Sequence, residues 1–138
     1  MNPDENKQII RGSIRVVWID QNIDALPDFW TADCINHAMP EGADNHGLAV
    51  LRAYHEQFGA FLSAFSDVHI EILQQVAETD RVVTQLLTRA RHTEPFMGIP
   101  PTGKTVSLLT IRIDRLQGGK IAEHWSVADM AGFMQQLQ

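Results

Sequence analysis

Residues 105–128 read TVSLLTIRIDRLQGGKIAEHWSVA. Two stretches rich in Ile, Leu, Val and Thr flank Gln117, Gly118 and Gly119, the pattern of two antiparallel strands joined by a tight turn. The register of this hairpin decides which side chains share a face. With Gly118 and Gly119 alone as a two-residue loop, Gln117 pairs with Lys120, Ile113 falls opposite His124, and polar and apolar groups mix. With a three-residue loop and Gly119 in the left-handed position, Leu116 pairs with Lys120, Arg112 with His124, Thr110 with Ser126, and Ile111 with Trp125. The second register is the one expected, because it divides the faces consistently and a slip of one residue would reverse every side chain. Arg112, His124, Thr110 and Ser126 then form a donor-rich patch facing a pocket. Leu109, Ile111, Ile113, Trp125 and Val127 fall on the other face, too apolar to leave exposed and suited to a subunit interface.

Working outward, Arg81 to His92 reads as another strand. Before it, Val68, Ile70 and Ile72 alternate with His69 and Glu71, so a strand begins after Phe65. Upstream, Leu48, Leu51, His55, Phe58, Leu62 and Phe65 recur at spacings of three and four, which predicts a helix over 48–65. Ile10, Ile14, Val17 and Trp18 predict an amphipathic first helix within 6–20. Asp33 to Ala38 reads as a short strand, and 129–137 as a last short helix capped by the carboxylate of Asp129. No repeat or linker interrupts this order, so residues 1–138 are expected to form one domain. Helices first and a long antiparallel meander afterwards give an α+β class, with helices covering one face of a curved sheet.

The chain carries a net charge of −6 and has no run of Lys or Arg, so it lacks the basic surface that nucleic acid requires. No apolar run approaches a membrane span, and the N-terminus lacks the order of a signal peptide. A cytoplasmic location is expected, with neither nucleic acid nor membrane as partner. Cys34 is the sole cysteine; it is expected to be buried and inert, and it rules out an internal disulfide or a site of several thiolates. His37, His92 and His124 show no metal-ligand spacing, and no glycine-rich nucleotide loop precedes a helix, so neither metal nor organic cofactor is expected.

The segment HTEPFMGIPPTGK at 92–104, followed by RIDRLQGGKIAEHW and the ending DMAGFMQQL, resembles the SnoaL-like polyketide (ester) cyclase family. The likeness extends more loosely to WTADCINHAMPEG and AFSDVHIEI. It implies the cone of the nuclear-transport-factor-two-like, cystatin-like fold, with helices closing a curved sheet into one deep pocket. It also implies cofactor-free aldol chemistry and a homodimer or higher homo-oligomer. In the family's cyclases an acid/base carboxylate follows the strand histidine by two residues. That histidine is matched by His124, but the carboxylate position holds Ser126, and Arg112 stands where those cyclases have a second pocket histidine.

The site expected from these readings has His124 as acid/base, neutral at pH 7, beside Arg112 as the stabiliser of an oxyanion. Thr110, Ser126, His37, His92 and Asp129 are its substrate-binding candidates, with His92 near the pocket rim and Asp129 also the helix cap. Glu123 points to the opposite face. His46 and His69 read as surface residues, and His55, within an apolar stripe, as a hydrogen-bonded structural histidine. The partner is a small apolar carbonyl or ester substrate. The function classes to be separated are a cyclase or isomerase, a hydrolase or hydroxylase on the same scaffold, and a non-catalytic binding module, since fold alone does not give function. A strand-borne Arg and His are as readily a structurally paired couple as a site.

Overall fold

A computed structural model describes residues 2–138. Helix α1, Pro3–Ser13, starts from Asn2, whose side chain accepts the Glu5 N–H, with Pro3 in its first turn. It runs directly into a π-helical segment, Ile14–Ile19. A 3₁₀ turn, Ile23–Ala25, leads to the short α2, Leu26–Phe29, and to β1, Trp30–Asn36. Helix α3, Leu48–Leu62, precedes four long strands: β2, Phe65–Glu78; β3, Arg81–His92; β4, Thr105–Gln117; and β5, Lys120–Ala128. Helix α4, Met130–Gln136, closes the chain, and the carboxylate of Asp129 accepts the Gly132 N–H at 2.9 Å as its cap. No helix among the described residues is long and apolar enough to cross a membrane.

The five strands form one sheet in the order β1-β5-β4-β3-β2. β2 to β5 are the expected antiparallel meander, while β1 joins β5 in parallel at the other edge. β1 starts three residues earlier than the sequence suggests, because Trp30 belongs to the buried face. α3 ends before Phe65, which is already paired with His92 in the sheet. Along β3 and β4 the even-numbered positions, from Val82 to His92 and from Val106 to Leu116, point to the concave side. The helices pack there, with Ile10, Ile14, Val17 and Leu51, joined by Trp30 of β1, against Val82, Leu86, Leu116 and Ile121. A second cluster, Phe65, Phe96, Val106, Leu108 and Phe133, fills the other end.

The β4–β5 hairpin departs from the expected register. Gly118 and Gly119 both adopt left-handed conformations, with φ of 58° and 81°, as a two-residue type I′ turn requires. Gln117 therefore pairs with Lys120 and Leu116 with Ile121. The ladder then shifts at Ala122, and beyond it Asp114 faces His124, Ile113 faces Trp125 and Arg112 faces Ser126. This bulge restores the division of faces that the turn alone would lose, because one extra residue returns the strand to the other parity. The polar and apolar faces are thus those expected, but beyond the bulge each neighbour is displaced by two residues, and Leu116, before it, by one.

On the outer face Ile111 is 44% exposed and Val127 78%. Trp125 and Ile113, expected to be covered by a second subunit, are already half-buried within the chain: the Trp125 ring stacks on His37 at 4.8 Å and lies under the Arg81 guanidinium.

Candidate active site

The concave side encloses a cavity with about 120 Å³ open to the centres of water molecules. Its apolar wall comes from helix residues such as Trp18, Phe58 and Leu62 and from Ile70, Leu86 and Leu108 of the strands. Its polar part gathers Asn36 from β1, Tyr54 and His55 from α3, and Thr110, Arg112, His124 and Ser126 from the hairpin. A side cavity, between the π-helical segment and α3, shares Trp18, His55 and Leu62 with the main one. A few polar groups in an apolar concave wall is the usual constitution of a small-molecule site.

At the floor stands a buried triad. Arg112 donates from Nε to Asp114 Oδ2 at 2.7 Å and from a second guanidinium nitrogen to Oδ1 at 3.0 Å, a bidentate pair. His124 Nδ1 lies 2.7 Å from the same Oδ1. Asp114 has no exposed surface and Arg112 and His124 almost none. Burial by itself would raise the Asp114 pKa, but the Arg112 charge and the His124 ring outweigh it and hold the carboxyl at about 2. Burial lowers the pKa of His124; Asp114 opposes that fall and Arg112 reinforces it, and the net direction is down. A carboxylate can only accept, so Nδ1 carries the imidazole proton and Nε2 is a lone pair. The strand geometry has therefore built an oriented Asp–His base, the arrangement in which the acid fixes tautomer and ring direction.

Asp114 was missing from the expected site, although its signal was present: in a strand of period two, an Asp two residues after Arg112 shares its face. The expected direct Arg112–His124 neighbourhood is replaced by a diagonal contact through Asp114. Two nitrogens of Arg112 are committed to that carboxylate, so its charge acts first on Asp114.

The other candidates are divided. Thr110 and Ser126 line the cavity, as expected. Ser126 approaches the Tyr54 hydroxyl; burial raises the Tyr54 pKa, against which the Ser126 contact and the Arg112 charge act. His37 is not in the pocket wall: its Nε2 donates to Glu123 Oε2 at 2.7 Å and its ring covers Trp125 on the outer face. It lies one residue past Asn36, whose backbone pairs beside His124, so alternation turns it outward. Glu123, held low by His37 and Arg115, shares that outer face as expected. His92 is wholly buried among Phe65 and Phe96 rather than at the rim. Its Nδ1 accepts the Thr102 N–H at 3.2 Å, tying β3 to the turn before β4. Asp129 serves as the α4 cap and does not line the cavity. Cys34 is buried, and burial raises its thiol pKa. No group of three or more His, Cys, Asp or Glu among the described residues is placed to hold a metal ion.

A family model described as SnoaL-like polyketide cyclase matches residues 8–137. A candidate polyketide cyclase from Acidithiobacillus ferrooxidans is 27% identical, with 96% of this chain and 94% of that one covered and a TM-score of 0.80. AclR of Streptomyces galilaeus, a candidate hydroxylase, is 26% identical over 99% of this chain and 82% of its own, with a TM-score of 0.78. TsrD of Streptomyces laurentii shares the fold at 22% identity, 99% and 97% coverage and a TM-score of 0.78. No match was found among curated proteins.

Proposed function

The chain belongs to the SnoaL-like polyketide cyclase family, and from that premise we propose that it is a cofactor-independent enzyme acting on a small, largely apolar carbonyl or ester compound by intramolecular aldol cyclisation or isomerisation. The observation that carries this reading is the 2.7 Å contact of His124 Nδ1 with Asp114 in the floor of a mostly apolar cavity. Nε2 of His124 removes a proton from carbon next to a carbonyl. The enolate so formed is held by the donors around it, the remaining guanidinium nitrogen of Arg112 and the hydroxyls of Tyr54, Thr110 and Ser126. In cyclisation the enolate carbon attacks a second carbonyl of the same molecule, one carbon–carbon bond forms, and the imidazolium returns its proton to the new alkoxide. In isomerisation the proton returns to a different carbon. Ser126, where the family's cyclases carry a carboxylate, leaves His124 to do both transfers with Asp114 behind it.

His124→Ala should lower turnover by about a hundredfold or more, the usual scale for losing a general base, with thermal unfolding measured alongside. A folded variant at near-native activity would remove His124 from this role. The likeness to AclR supports hydroxylation as a second reading. Mass spectrometry of the product separates the two, since a simple aldol cyclisation or isomerisation leaves the mass unchanged and hydroxylation adds one oxygen.

The reading includes a homodimer through the outer sheet face. Leu109, Ile111 and Val127 are exposed there beside Val83 and Val76, and the neighbouring charges Glu71 and Arg89 approach each other within 4.0 Å. A self-complementary apolar patch with charges paired at its rim suits a two-fold contact with a second copy. Light scattering on a sizing column should give a dimer for the parent chain and a monomer for Val127→Glu; a parent monomer at micromolar concentration overturns the proposal.

A further inference from the structure

His55 sits in the apolar stripe of α3, yet it does more than fill it. Its Nδ1 lies 2.9 Å from the Leu51 carbonyl, one helical turn back. A carbonyl only accepts, so the proton is on Nδ1 and Nε2 presents a bare lone pair. Among the described residues no other hydrogen bond reaches this ring, which lines both the main cavity and the side cavity. Trp18 lies against it at 4.5 Å between centroids. Trp30 stands edge-on to His55 at 6.5 Å and to His124 at 5.5 Å, so the two imidazoles flank one indole. Burial, helped by the charge of Arg112 and by His124, lowers the His55 pKa to about 4, which keeps the lone pair free at neutral pH.

That nitrogen is reachable from the chamber, where a phenylalanine packed on Trp18 and Leu51 would present no polar atom. The lone pair is therefore an acceptor offered to whatever occupies the chamber. Arg112 nearby disfavours a cation, so the donor is a neutral group, of which a hydroxyl is the one a small carbonyl compound carries in its phenol or enol form, and the flat walls of Trp18, Trp30 and Phe58 suit an aromatic or conjugated ring.

We propose that His55 is a specificity-determining residue whose Nε2 accepts a hydrogen bond from a hydroxyl of the substrate, so that the chamber selects phenol- or enol-bearing carbonyl compounds over their ethers and esters. This rests on the reading above only in taking the chamber as the ligand site; it requires no turnover.

Calorimetric titration with 2-naphthol and 2-methoxynaphthalene tests it. The parent protein should bind the naphthol about tenfold more tightly, the scale of one net hydrogen bond. His55→Phe should abolish that preference while binding naphthalene no more weakly, and His124→Phe should keep most of it. In the unaltered protein, nitrogen NMR should show the His55 Nε2 resonance moving on addition of 2-naphthol and not of its methyl ether, a change that packing alone would not produce. A preference intact in His55→Phe, lost only in His124→Phe, an unmoved resonance, or no saturable naphthol binding would each overturn the assignment. Because these are equilibrium measurements, a failed turnover test at His124 leaves them standing, and their failure leaves that test standing.

Discussion

His124 and His92 are both buried on the concave face of one sheet, yet their rings do opposite things. His124 donates its Nδ1–H to Asp114 in a hydrogen bond and opens its other nitrogen to a cavity. His92 takes an N–H from Thr102 on Nδ1, so its proton is on Nε2, and aromatic rings close around it. The partner on Nδ1 sets the tautomer, and the space beyond decides whether the second nitrogen is available for chemistry. One end of the cone is a site because it is unfilled; the other is a core with a polar strut through it.

The contrast breaks first at Asp114. Asp114→Ala strands the Arg112 charge in the interior and should cost about 3–5 kcal/mol in urea unfolding, the scale for breaking a buried ion pair. A cost below that of the His92 variant would reverse the ranking of the two ends. Acid should probe the same carboxylate in the parent protein. Its folded pKa of about 2 lies below the ordinary 3.8, so its contribution is fully present above pH 4 and is lost as pH falls toward 2. That loss is on the order of 2 kcal/mol, and Asp114→Ala should flatten the slope in this window.

His92→Phe, which leaves the Thr102 donor unpaired, should cost about 1–3 kcal/mol and leave naphthol binding unchanged; altered binding would join the two ends functionally. The smallest effect is expected at the turn, where Gly118→Ala forces a side chain into a left-handed conformation at about 1 kcal/mol.

Much of the frame was legible in the sequence because it rests on period. The limits 81–92 and 120–128 follow from alternation and turn residues, and the polar face of Arg112, His124, Thr110 and Ser126 follows from parity alone. Parity could not say who faces whom. That depended on Ala122, a small apolar residue with nothing in its neighbourhood to mark it as a bulge, and on both glycines of the turn being left-handed rather than one. Asp114 was readable by the same rule that selected Arg112. His92 was placed by likeness of motif and His37 by the short strand that carries it, and the structure directs His37 to the outer face and His92 into the aromatic cluster. His55 was legible as a hydrogen-bonded helix residue; that its stripe also faces an open chamber depends on how far α3 stands from the sheet, a distance no local pattern encodes.

The π-helical segment Ile14–Ile19 bears on how such a chamber can change over descent. A turn of this kind holds one residue more than its α-helical equivalent, so losing a single codon there would let the helix relax. The turns on either side would keep their facing, because the extra residue is what the wider turn absorbs, and the change would fall on the side chains of the segment itself, Trp18 among them. Lineages can thus resize this chamber by gaining or losing one residue in a helix, while the strands that hold the Asp–His base stay in frame.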